Sequence, residues 1–172
     1  MHLPLLRRLA LRAPRRALSS APPPVDLSGV FPPIVAAFNQ DESVAWEQLR
    51  ANLARWRQEP LSGVLVHGSN GEFSYLTTEE RLDMVRVVRE ELGKEQLVLA
   101  GSGCESTLET IRMTAAMAEA GADVAVVITP SYYKVASTAL TPCGQAKMTG
   151  AALEAHFTAV ADASPIPVVL YR

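Results

Sequence analysis

Residues 67–73, His67-Gly68-Ser69-Asn70-Gly71-Glu72-Phe73, gather the groups in this sequence best suited to hold an anion. Two glycines flank a hydroxyl and a carboxamide, so backbone N–H groups can converge with little side-chain obstruction. Ser69 and Asn70 add polar side chains able to orient that anion. A carboxylate-binding nest is one reading. A tight turn is the other, because Gly, Ser and Asn serve both purposes. Tyr132, Tyr133 and Tyr171 are the next candidates, and each also fits a rim or strand aromatic. His67 reads as a core residue, and Glu72 as a carboxylate placed to bond loop backbone. Cys104 and Cys143 have no neighbouring base or cationic cluster in sequence, which argues against a nucleophile. His2, His67 and His156 are scattered and no CxxC spacing is present, so a metal site is not supported.

The elements that must position these groups alternate along the chain. Apolar runs at 29–38, 63–66, 97–100, 124–128 and 167–170 lack period-2 alternation, as parallel strands covered on both faces do. Between them lie amphipathic stretches. Trp46, Leu49, Leu53 and Trp56 form one stripe; Leu82, Val85, Val88 and Leu92 form a second behind the capping box Thr77-x-x-Glu80. A third opens at Ser106-x-x-Glu109, runs through Ile111, Ala115 and Ala118, and stops at Gly121. The fourth carries Leu153, Phe157 and Val160. Residues 67–73 therefore occupy a strand-to-helix turn, where α/β folds place their chemistry. Periodicity leaves two architectures open, a doubly wound sheet and a closed (β/α)8 barrel.

The chain has 172 residues, 48% hydrophobic and 20% charged, with net charge −2. That is a composition for one globular domain, and no apolar run approaches the roughly twenty residues of a membrane span. The charge is unevenly spread. Residues 1–25 hold Arg7, Arg8, Arg12, Arg15 and Arg16 and no acid, with Ser19-Ser20 near the end. This is the composition of a mitochondrial transit peptide and places the protein in the matrix; Pro22-Pro23-Pro24 follows as a linker. The remaining body is acidic and offers no basic face to nucleic acid. Residues 135–147 are small, polar and aperiodic, and read as an inserted loop.

Gly68-Ser69-Asn70-Gly71-Glu72 resembles the Gly-x-x-Gly-Glu signature of the dihydrodipicolinate synthase/N-acetylneuraminate lyase (DapA-like) family. Ala100-Gly101-Ser102-Gly103, Thr129-Pro130-Ser131-Tyr132-Tyr133 and Pro167-Val168-Val169-Leu170-Tyr171 follow in the family's order. Motifs in register over residues 26–172 are far more specific than any one of them. The resemblance selects the (β/α)8 TIM barrel, here an incomplete barrel of about five strands and four helices.

It implies class I aldolase chemistry: a lysine forms a Schiff base with a 2-oxo acid, and the iminium accepts the electrons released on C–C cleavage, with no metal or other cofactor. Asn70 and residues 100–107 look most like the members that cleave 4-hydroxy-2-oxoglutarate to glyoxylate and pyruvate; dihydrodipicolinate synthase and N-acetylneuraminate lyase activities are the alternatives. By this resemblance Gly68, Ser69 and Asn70 hold the substrate carboxylate, and Tyr171 relays protons beside the imine. Tyr132 reaches across a subunit interface of a homotetramer and completes the relay through the Ser69 hydroxyl. The family's Schiff-base lysine lies on the sixth strand, and Lys94, Lys134 and Lys147 match no family lysine. The expectation is a chain inactive alone, from truncation or alternative splicing, or a non-catalytic fragment that joins full-length subunits.

Overall fold

Short runs rich in Val, Leu and Ala, each followed by a capped helix, build a parallel sheet in the computed structural model, which describes residues 25–132 and 148–171. The strands are β1 (Gly63–Val66), β2 (Leu97–Gly101), β3 (Val124–Ile128) and β4 (Val168–Tyr171), in the spatial order β1-β2-β3-β4. Val64 lies opposite Val98, Ala100 opposite Ala125, and Val127 opposite Leu170. The helices are α1 (Trp46–Trp56), α2 (Thr78–Leu92), α3 (Thr107–Ala120) and α4 (Gly150–Ala163).

Residues 29–38 do not form the strand expected of them. They run beside β1, with Ile34 N–H donating to Leu65 O at 2.9 Å and Leu65 N–H to Pro32 O at 2.9 Å. The pairing shrinks to an isolated bridge, Pro33 to Leu65. Pro32 and Pro33 have no N–H to continue a ladder. The described sheet therefore has four strands rather than about five.

Although the strand sequences do not alternate, their side chains do sort by face. Val64, Val66, Val98 and Ala100 join a core with Leu49, Leu53, Val85, Val88 and Met117 of the helices. Leu65, Leu97, Leu99, Val126 and Val169 gather with Phe31 on the other face. One face thus carries the helical layer and the other encloses a second, smaller apolar cluster.

The helix stripes hold with two changes of phase. α3 buries Thr110, Met113, Thr114 and Met117 rather than Ile111, Ala115 and Ala118, which are half-buried. Thr110 and Thr114 can face inward because their hydroxyls bond Cys104 O at 3.1 Å and Ser102 Oγ at 2.8 Å. α4 buries His156 and Val160, with Leu153 and Phe157 only half-covered. His156 Nδ1 meets Thr107 Oγ1 at 2.9 Å, which makes a polar ring tolerable there, and burial holds its pKa below the ordinary value. Both arms of the Thr77/Glu80 capping box form. At α3 only Ser106 Oγ caps, accepting the Glu109 N–H at 3.1 Å.

At the N-terminal ends of the strands, Arg89 of α2 ties the layers together. Its guanidinium donates to Gly121 O at 2.9 Å, Gln96 O at 3.1 Å and Gly93 O, and pairs with Asp123. The same carboxylate accepts the Val98 N–H at 2.8 Å.

Candidate active site

At the opposite end, where the strands finish, β1 turns into α2 around a cavity of about 340 Å3. The turn is made unusually. His67 and Glu72 take the left-handed conformation (φ 63° and 49°), while Gly68 is extended at φ −71°. Between them Ser69–Gly71 forms one 3₁₀ turn, closed by Gly71 N–H to Gly68 O at 2.9 Å and Glu72 N–H to Ser69 O at 3.1 Å. The glycines supply room rather than positive φ: a Cβ on Gly71 would lie 3.0 Å from Ile34 O.

The first N–H groups of such a turn have no partner within it. Among the described residues neither the Ser69 nor the Asn70 N–H is bonded, and both residues are exposed at the cavity. Gly68, Ser69, Asn70 and Tyr171 all line that cavity, and Tyr171 stands half-exposed at the end of β4. Tyr132 does not line it. Tyr132 is 74% exposed, and its N–H donates to Glu105 Oε2 at 3.0 Å beside the Ser131 N–H, also at 3.0 Å. The Glu72 carboxylate bonds no loop backbone among the described residues, contrary to the reading of the sequence; only its main chain serves the turn.

Three residues that sequence reasoning left out stand near the site, His67 and Arg81 behind the turn and Glu105 at the Ser131 and Tyr132 N–H groups. His67 is buried, and neither ring nitrogen has a partner. Burial first, and the Arg81 charge second, push its pKa down to about 3, so the imidazole is neutral. Arg81 is buried at 7% exposure, donates to Gly101 O at 2.9 Å, and sets its Cζ 5.2 Å from the centre of the Phe73 ring. It falls on the Val85, Val88 and Leu92 stripe of α2, and a charge on an apolar stripe is the signal that marks it in sequence. Glu105 has no such signal. Cys104, expected to lack a cationic neighbour, has Arg81 beside it; burial nonetheless outweighs that charge and raises the thiol pKa. Cys143, Lys134, Lys147, Tyr133 and the 135–147 segment lie outside the described residues.

Gly101 closes the cavity floor. A Cβ there would sit 2.4 Å from His67 O, so Gly101→Ala is expected to push β2 away from the turn. We expect a loss of about 1–3 kcal/mol, read by urea unfolding; an unchanged midpoint would show that the strands separate freely.

Parallel strands with helices on one face and a cavity where the strands end are the layout of a (β/α)-barrel sector with its site in the usual place. The chain matches the model of the dihydrodipicolinate synthetase family over residues 26–172. It belongs to that family. It is 38% identical over 148 residues to a probable mitochondrial 4-hydroxy-2-oxoglutarate aldolase of Emericella nidulans, covering 84% of this chain and 44% of that protein. It is 36% identical over 144 residues to a 4-hydroxy-tetrahydrodipicolinate synthase of Methanothrix thermoacetophila, with 84% and 44% covered. A chloride-inhibited dihydrodipicolinate synthase from Acinetobacter baumannii, solved in complex with pyruvate, superposes with a TM-score of 0.72 at 30% identity, covering 84% of this chain and 45% of that one. The chain thus spans less than half the length of the relatives it matches. The fold is that of these TIM barrels, described here in part.

Proposed function

We propose that the cavity takes a 2-oxo acid and that the protein belongs to class I aldolase chemistry, cleaving 4-hydroxy-2-oxoglutarate to glyoxylate and pyruvate. The observation that carries this is the pair of unspent N–H groups on Ser69 and Asn70, at a cavity that Tyr171 also lines. A carboxylate satisfies two such donors at once. The Ser69 hydroxyl and the Tyr171 phenol would then pass protons beside the reacting carbon, with Tyr132 completing the relay from a neighbouring subunit of a homotetramer. The exposure of Tyr132, on a loop whose backbone Glu105 holds, supports that placement. The identity to the Emericella aldolase and the residues Asn70 and 100–107 favour this substrate over those of the synthase and the lyase. The Arg-rich residues 1–25 and the mitochondrial relative favour import into the matrix.

The 172-residue chain itself binds without turnover in this reading. No lysine among the described residues lines the cavity, and Lys94 lies between α2 and β2, at the other end of the strands. An imine needs the amine within about 3 Å of the carbonyl carbon. Incubation with pyruvate and borohydride is expected to leave the 18.5 kDa mass unchanged; a reduced pyruvyl adduct would refute this. A second reading, association with full-length subunits, is favoured by the exposure of Leu170 (59%) and Tyr171 (49%) on β4. Co-expression with an intact relative tests it, and separate elution of the two chains would sink it.

A further inference from the structure

Arg81 is a buried cation that the fold leaves without a counter-ion. Only 7% of it is exposed, yet no carboxylate pairs with it among the described residues, and its Nε has no hydrogen-bond partner. Its contacts are a carbonyl (Gly101 O at 2.9 Å), the face of Phe73 and the Cys104 thiol. An arginine cannot discharge by losing a proton, and an unpaired buried charge is costly. Conversion of Cys104 to a thiolate would supply an anion, but burial raises that thiol's pKa and keeps it protonated.

The position of this charge indicates what completes it. Phe73, Gly101 and His67, three of its neighbours, all line the cavity that Ser69 and Asn70 edge. His67 stays neutral between them, so it neither cancels the guanidinium nor competes with it. The cavity walls are otherwise largely apolar, with Phe31, Leu65, Val126 and Ile128 around it, and a charge acts further through such surroundings than through water.

We propose that Arg81 is the positioning residue for the substrate's negative charge, acting from behind the Gly68–Asn70 turn as the fixed counter-charge that makes the site select 2-oxo acid anions over neutral carbonyl compounds. This rests on the 2-oxo acid reading of the cavity. Ser69 and Asn70 touch the anion; Arg81 acts on it through the wall, as an electrostatic partner without a bond. The turn amides fix where the carboxylate lies, and Arg81 sets how strongly a charge is preferred there.

The test is an amide NMR titration of the 172-residue chain with pyruvate and, in parallel, with pyruvamide, its neutral analogue. Pyruvate is expected to shift the Ser69 and Asn70 amide resonances saturably, and pyruvamide to bind at least about tenfold more weakly. Arg81→Gln is expected to bring pyruvate close to the pyruvamide affinity, while Arg81→Lys restores most of the difference. If pyruvate leaves the Ser69 and Asn70 resonances unmoved, the 2-oxo acid reading fails and this inference with it. If pyruvate binds there but pyruvamide binds equally well, the reading stands and the role of Arg81 is overturned. Equal binding of the two ligands by the unaltered chain overturns the role of Arg81 even if Arg81→Gln does not fold, and an Arg81→Gln chain that folds and keeps the roughly tenfold preference overturns it as well.

Discussion

Arg89→Ala is expected to lower stability by about 2–3 kcal/mol, between the values for an exposed and a fully buried ion pair. The substitution leaves the Asp123 carboxylate with the Val98 N–H but no cation. It also strips a donor from Gly121 O, Gly93 O and Gln96 O, which end α3, end α2 and precede β2. Arg89 is 19% and Asp123 34% exposed in side chain, so water replaces part of what is lost and the cost stays below that of a fully buried pair. For a domain of this size the melting temperature should fall by roughly 5–10 °C. Thermal unfolding measures it, and Arg89→Ala combined with Asp123→Ala should cost clearly less than the two changes summed. Strict additivity would mean that the pair is not coupled.

The second large effect is acid sensitivity from His67. Its pKa is about 3 in the fold against 6.5 for the ordinary side chain. As pH falls below 6.5 the unfolded chain takes up a proton that the folded chain refuses, so the equilibrium moves toward unfolding. The contribution is complete above 6.5 and is lost progressively down to about 3. By linkage the loss amounts to about 2 kcal/mol at pH 5 and about 3 kcal/mol at pH 4. His67→Asn keeps a residue that tolerates the left-handed backbone and removes the titration. Urea unfolding at pH 7 and pH 5 should show the difference between the two conditions shrink by about 2 kcal/mol in the variant. A residual slope of the same sign is expected from His156, also lowered by burial. An equal slope in both proteins would exclude His67 as its source.

The sequence carried the helices and two of the four α-helical stripes because apolar spacing and caps are local properties, as at Thr77 and Glu80. It carried the alternation of strand and helix along the chain for the same reason, while periodicity left the spatial order of the strands open. It misled at residues 29–38, where composition favoured a strand and two missing N–H groups prevented one. On α3 the buried threonines were illegible, since their partners Ser102 and Cys104 come from the preceding loop. The turn at Gly68 to Asn70 was visible as residue types, and the cavity joining it to Tyr171 follows from β1 and β4 ending on the same side of the sheet. What sequence could not convey was the layer behind the turn. His67 and Arg81 matter there through burial and through the His67 ring nitrogens and Arg81 Nε left unbonded, and both are properties of the packed molecule.

The proline-bearing segment beside β1 has a consequence for how this sheet can extend. Its outer margin on that side ends in residues that lack amide hydrogens, so it offers a poor template to an incoming strand. The far margin, β4, is a regular strand of four residues that carry their amide hydrogens, with Leu170 and Tyr171 open to solvent. The sheet therefore has a polarity of growth. An added strand finds more free amides at β4, next to the tyrosine that lines the cavity, than beside Pro32 and Pro33.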